Sequence, residues 1–203
     1  SLGVAAALCA HTRRLHLTVS VPPQVMLPAA LASTVQSLQS ISANRVRLHL
    51  PDSQQSSARH TFDDWLNRDQ RSESIGEYLD ILGRLLRGGD GGFTSSGRYF
   101  QLENAGYARR DLPAPAIVLN DSQSPALIAS QAQVCLLRAA PPAQLRQAIE
   151  RQRAASPEPS TPLAFACTFG LILADTEALA WEAAARQLPA LPAAPTSEAD
   201  SVL

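Results

Sequence analysis

Short apolar runs alternate with amphipathic helical segments along most of this chain, and that alternation limits its fold more than any other feature. Residues 15–21 alternate with period two and read as a strand, closed by Pro22-Pro23. Pro28 opens a helix to about Ser40, with Leu31, Val35 and Leu38 on one face. Further strands are expected at residues 46–50, 116–119, 134–137 and 163–173. Helices are expected at residues 2–10, 72–87, 124–131, 142–154 and 176–188. Strands joined through helices pair in parallel through right-handed crossovers. Five strands fall short of the eight in a closed (β/α) barrel, which typically takes about 250 residues. The fold class is therefore α/β: a partial or degenerate (β/α) barrel of about five parallel strands, or an open sheet.

The intervening segments suit this plan. Residues 51–61 are polar and loop-like, and residues 156–162 hold three prolines and form a turn. The cluster Gly88-Gly89-Asp90-Gly91-Gly92 ends the 72–87 helix, and Phe93 with Arg98 to Leu102 suggests a small hairpin. At 203 residues the length suits one domain, expected over residues 1–188. The Pro- and Ala-rich residues 189–203 are expected to be a disordered tail.

Composition removes several function classes. All seventeen basic residues are Arg, and eighteen acids leave a formal net charge of -1. That balance speaks against a nucleic-acid partner and gives no polybasic membrane signal. No apolar run reaches about 18–20 residues, so no membrane span is expected, and residues 1–8 read as a buried helix rather than a signal peptide. Cys9, Cys135 and Cys167 are isolated in apolar surroundings, as suits buried thiols in a cytoplasmic protein.

Few residues carry a chemical signature alone. His16 and His49 fall in expected strands; a satisfied strand-face side chain is the default, and a general base the alternative. His11 and His60 add no metal-ligand spacing, so no metal is expected. Asp63, Asp64 and Asp69 lie beside Arg68 and Arg71 and read as a solvated loop. Ser122 lacks a nucleophile elbow and reads as a helix cap. The glycines at 88–92 lack the ending of a phosphate loop, and Trp65 and Trp181 read as packing residues.

A family pattern emerges when these segments are taken in order. Residues 71–86 (RSESIGEYLDILGRLL), then Phe93, Gly97, Arg98-Tyr99-Phe100 and Glu103-Asn104-Ala105, follow one another at characteristic spacing. Ile117 to Ser122, Pro141 to Leu145 and Ala174 to Trp181 continue the series. Together they resemble the flavin-dependent alkanesulfonate monooxygenases of the bacterial-luciferase-like family, over about residues 1–188. The resemblance implies a (β/α) barrel that uses reduced FMN, supplied by a separate flavin reductase, and oxygen to oxidise a small organic substrate. The cofactor carries the difficult chemistry; the protein binds, orients and excludes water.

The departures from that pattern shape the expected function. The family's strand Arg and His are here Thr168 and Gly170, which hold no charge and shuttle no proton near neutral pH. Arg138 and Ala140 replace its Trp and Glu, and Pro22-Pro23 its Arg-Pro pair. Asn120-Asp121 stand for the glycine pair, with Asp121 expected to set a negative charge at the flavin phosphate. Of two phosphate-contacting serines only Ser122 remains, the next being Gln123, and the helix-opening Tyr is Ser72. The resemblance therefore implies Ser122 as the cofactor-binding residue and impaired or absent catalysis, with no catalytic residue assigned. The alternatives are a fragment of a working two-component monooxygenase and a non-catalytic binding or accessory subunit. A five-stranded sheet leaves two open edges, so a homo-oligomer is expected.

Overall fold

The computed structural model describes residues 2–51, 66–88, 91–106, 112–155 and 162–187. Packing divides the chain into two compact units, Ser1–Thr168 and Phe169–Leu203.

The first unit is built on one five-stranded parallel sheet in the order β1-β2-β5-β6-β7. Its strands are β1 (Leu17–Ser20), β2 (Val46–His49), β5 (Ile117–Asn120), β6 (Val134–Arg138) and β7 (Ala164–Thr168). The helices are α1 (Leu2–His11), α2 (Pro28–Ser42), α3 (Arg68–Arg87), α4 (Pro125–Gln131) and α5 (Pro142–Ala155). Strand order follows chain order without a reversal, and each helix packs on the next, α1 on α2, α2 on α3, α3 on α4 and α4 on α5. One continuous helical layer on a sequential parallel sheet is an open half-barrel, not a doubly wound sheet, whose order reverses at a switch point. A two-stranded antiparallel hairpin, β3 (Phe93–Ser96) and β4 (Gln101–Ala105), interrupts the series where the residues after the glycine cluster suggested one.

Burial follows the two periodicities. Val19, Val46, Leu48, Leu119, Cys135 and Leu137 face the helices, and Leu31, Val35, Tyr78, Leu82 and Leu85 meet them to form the core. Tyr78 is fully buried, donates its hydroxyl hydrogen to Met26 O at 2.8 Å and packs edge-on against Phe100. Glu77 ties the hairpin down by accepting the backbone N–H of Tyr99 at 3.1 Å and of Phe100 at 2.8 Å.

Several boundaries differ from the expected ones, each for a local reason. Helix α3 opens at Arg68 rather than Ser72, because Asn67 and Gln70 form a reciprocal capping box. Helix α2 runs to Ser42 and closes on Ala43, which is left-handed at φ 52. Strand β1 starts at Leu17, leaving His16 outside it and exposed; Arg45 takes the backbone carbonyl of Leu15 at 2.7 Å. Strand β7 stops at Thr168, because its partner β6 ends at Arg138 in the same register. Phe169–Leu173 therefore lie outside the sheet. Gly88 closes α3 at φ 65, a conformation that favours glycine. The expected loop at 52–61, the turn at 156–161 and the tail at 189–203 lie outside the described residues.

The second unit contains α6 (Glu177–Gln187). Trp181, half-buried on this helix, donates its indole N–H to Glu177 Oε1 at 3.3 Å. Together with Gly170, Leu171, Ile172, Ala180, Ala184 and Gln187 it lines a cleft of about 560 Å³.

Candidate functional site

Residues in register on neighbouring parallel strands share a face, so pairing decides which side chains line the concave side. Leu48 pairs with Ile117, and Leu119 with Cys135, all facing the helices. The alternate positions face the opposite way: Thr18 and Ser20, Arg47 and His49, Val118 and Asn120, Val134, Leu136 and Arg138, then Ala164, Ala166 and Thr168. Toward the carboxyl ends of the strands this face turns polar, and that end is where (β/α) barrels assemble their sites.

Three of these residues form one hydrogen-bonded row across β1, β2 and β5. His49 Nε2 lies 2.8 Å from Asn120 Oδ1, and His49 Nδ1 lies 3.1 Å from Ser20 Oγ. A carboxamide oxygen can only accept, so the imidazole proton belongs on Nε2, and Nδ1 accepts from the Ser20 hydroxyl. Burial pushes the His49 pKa below its ordinary 6.5, and the bond to Asn120 opposes this only in part. A neutral imidazole with its acceptor nitrogen toward an exposed hydroxyl can take up and return a proton.

Beside the row, two clefts share the wall Ser122-Gln123-Pro125. The first, about 240 Å³, is bounded by Asp69, Arg71, Ser72 and Ile75 of α3, and by Ser122, Ser124 and Leu127. It brings together Ser72 and Ser122, the two positions that the resemblance assigned to the flavin phosphate. The hydroxyls of Ser72, Ser122 and Ser124 have no hydrogen-bond partner among the described residues. Arg71 is buried beside them and donates to Leu66 O at 2.7 Å. The second cleft, about 450 Å³, is bounded by Asp121, Arg138, Ala148, Arg151 and Gln152.

Asp121 lines this second cleft and not the one that holds Ser72, contrary to the expectation that it stands at the flavin phosphate. Its backbone N–H is committed to Leu136 O at 3.1 Å, which turns the residue toward β6. Gln123, in place of the second serine, holds the loop: its Oε1 accepts Asn120 N–H at 2.7 Å, and its Nε2 donates to Leu50 O at 3.4 Å.

The remaining sequence candidates disperse. Thr168 ends β7 opposite Arg138 in the first unit. Gly170 belongs to the second, with open space where a Cβ would stand. His11 is exposed at the end of α1. Cys9 and Cys135 are buried thiols, and burial raises Cys135 to about 11; Cys167 is half-buried. No group of metal-ligating side chains occurs among the described residues, and no helix there is long and apolar enough to cross a membrane. His60, Asp63, Asp64 and Trp65 lie outside the described residues. Sequence reasoning passed over Ser20, Ser124, Arg151 and Gln152. Only Ser20 carries a signal of its own, since the alternation in β1 sets it opposite Val19.

Solved structures resemble this arrangement along most of the chain. A riboflavin lyase bound to modified FMN and riboflavin superposes with a TM-score of 0.75 at 18% identity, covering 92% of this chain and 47% of that one. The protein DmoA from Hyphomicrobium sulfonivorans gives 0.73 at 19% identity, covering 92% and 46%. The oxygenating constituent of 3,6-diketocamphane monooxygenase from Pseudomonas putida, in complex with FMN, gives 0.74 at 16% identity, covering 91% and 56%. This chain thus spans about half the length of the structures that share its fold. The family model for luciferase-like monooxygenases matches residues 1–202. The parallel half-barrel and the match along the whole chain lead to one conclusion: this chain belongs to the luciferase-like monooxygenase family.

Proposed function

We propose that this chain is an FMN-binding member of the family, related to its alkanesulfonate branch, that by itself does not complete the oxygenation. The observation that carries this reading is the pair Thr168 and Gly170, in place of the cation and imidazole that the family pattern has there. The phosphate end of FMN fits the first cleft, where the hydroxyls of Ser72, Ser122 and Ser124 stand as donors without partners. Asp69 on the same cleft opposes the bound charge and keeps the affinity low. Reduced FMN, when bound, supplies the electrons and activates oxygen. His49, held neutral between Ser20 and Asn120, holds the proton nearest the concave face.

The partners in this reading are a flavin reductase, a small organic substrate and a second copy of the chain, in the cytoplasm. Helix α1 supports the second copy: it carries no acidic or basic side chain before His11, yet Val4 and Leu8 are 58% and 40% exposed. A helix apolar all round is ordinarily buried. Light scattering at low micromolar concentration should find a dimer; a stable monomer would remove that part.

Sulfite release from alkanesulfonates, with a flavin reductase, NADPH and FMN supplied, tests the whole reading. Release at the no-protein rate is expected. Turnover clearly above it would show that this chain is a working oxygenase, and His49 would be the first residue to substitute.

A further inference from the structure

Two guanidinium groups line the second cleft, and neither the established family membership nor the flavin reading uses them. Arg138 is the last residue of β6, on the rim where strands point their carboxyl ends. Arg151 reaches the same cleft from α5. Arg138 has no hydrogen-bond or ion-pair partner among the described residues. Arg151 makes only a 3.4 Å bond from Nε to Gln147 O, which leaves both its terminal nitrogens as donors. The Ser122 hydroxyl adds another donor on the shared wall. Gln152, nearly buried, donates its carboxamide to Asp121 O at 3.5 Å and so braces the floor. Asp121 is the sole acid lining the cleft, against two cations.

Two like charges facing one concavity repel each other unless an anion sits between them, and planar guanidinium forks match the oxygen edges of phosphate or carboxylate. We infer that the Arg138–Arg151 cleft binds a tetrahedral oxyanion, a phosphate or sulfonate group. A carboxylate fits less well, because it offers two oxygens to donors converging from β6, α5 and the Ser122 loop. The oxyanion comes either as a free ion or as the end of a larger molecule, and a cleft of about 450 Å³ leaves room for the attached part. The inference rests on Arg138 and Arg151 and stands whether or not the chain binds flavin.

Titrating the full chain with inorganic phosphate, read by calorimetry and by nitrogen–proton spectra at constant ionic strength, tests it. Saturable binding is expected. Arg138→Gln and Arg151→Gln should each weaken it about tenfold, the scale of one charge-assisted contact. Arg138→Lys should restore part of it, since charge returns without the fork. Both positions are exposed or rim-facing, and unchanged circular dichroism would certify the variants as folded. Competition then separates the sources. Displacement of phosphate by FMN but not by riboflavin assigns the site to a flavin phosphate, and displacement by a short alkanesulfonate alone assigns it to a sulfonate; either supports the inference. Phosphate binding that never saturates, or that both Gln variants leave unchanged, overturns it.

Discussion

His49 and Asn120 lie 71 residues apart in the chain and meet at 2.8 Å, Nε2 to Oδ1, on adjacent strands. The hairpin and the long helix α3 fall between them in sequence, but β5 passes over both and pairs directly with β2. The bond holds the imidazole in one tautomer and aims Nδ1 at Ser20.

That arrangement makes stability depend on pH in a definite direction. The folded pKa of His49 is depressed below 6.5, so the unfolded chain takes up the proton first as pH falls. Above about pH 6.5 the group is neutral in both states and contributes nothing to the pH dependence. Below it the fold loses stability until the folded pKa is passed, where the loss levels off. Urea denaturation at pH 7.5 and at pH 5 should show the drop, and His49→Gln should flatten this part of it. An equal drop in the variant would place the effect on another group.

Arg45 should be among the costliest single positions. Its guanidinium donates to Cys9 O at 3.1 Å, Thr12 O at 2.8 Å, Leu15 O at 2.7 Å and Ser42 O at 2.7 Å, closing the ends of α1 and α2 together. Arg45→Met leaves these buried or part-buried carbonyls without a donor, and about 3 kcal/mol or more should be lost. Arg45→Lys should recover only a fraction, because an ammonium cannot span the same fork. Denaturant midpoints of the three proteins would decide.

Ala43 gives a prediction of the opposite sign. It closes α2 in the left-handed region at φ 52, where a Cβ is strained and glycine is not. Ala43→Gly should stabilise the fold by about 0.5–1 kcal/mol, and Ala43→Val should destabilise it. Thermal melts of both variants suffice; a lower melting temperature for the glycine variant would contradict the assignment.

Flavin binding should be weak and should depend on the phosphate. FMN is expected at a Kd of about 10–100 μM, with riboflavin weaker. Ser122→Ala should weaken FMN by roughly threefold to tenfold, the range of one hydroxyl hydrogen bond, and leave riboflavin unchanged. Asp121→Gly should tighten FMN only modestly, because it removes a nearby charge while the backbone N–H stays on Leu136 O. Fluorescence titration of the two flavins separates these outcomes; purification of a yellow protein with stoichiometric FMN would refute weak binding.

The sequence by itself determined the parallel αβ order, because period-two runs such as 46–50 and the stripe from Ile75 to Leu86 leave little freedom in how they pack. It also carried the family, through motifs whose order survives at low identity, and it marked Thr168 and Gly170 as departures. Tertiary structure alone decided the rest. Strand ends depend on what lies alongside: β7 stops at Thr168 because β6 stops at Arg138, which no reading of residues 163–173 alone could reveal. The row Ser20–His49–Asn120 needs three strands in register, and the Arg138–Arg151 cleft needs a helix laid beside a strand rim. Local periodicity assigns each side chain to a face of its own element, but a site is made between elements. Which faces meet, and at what register, is set by packing of the whole sheet.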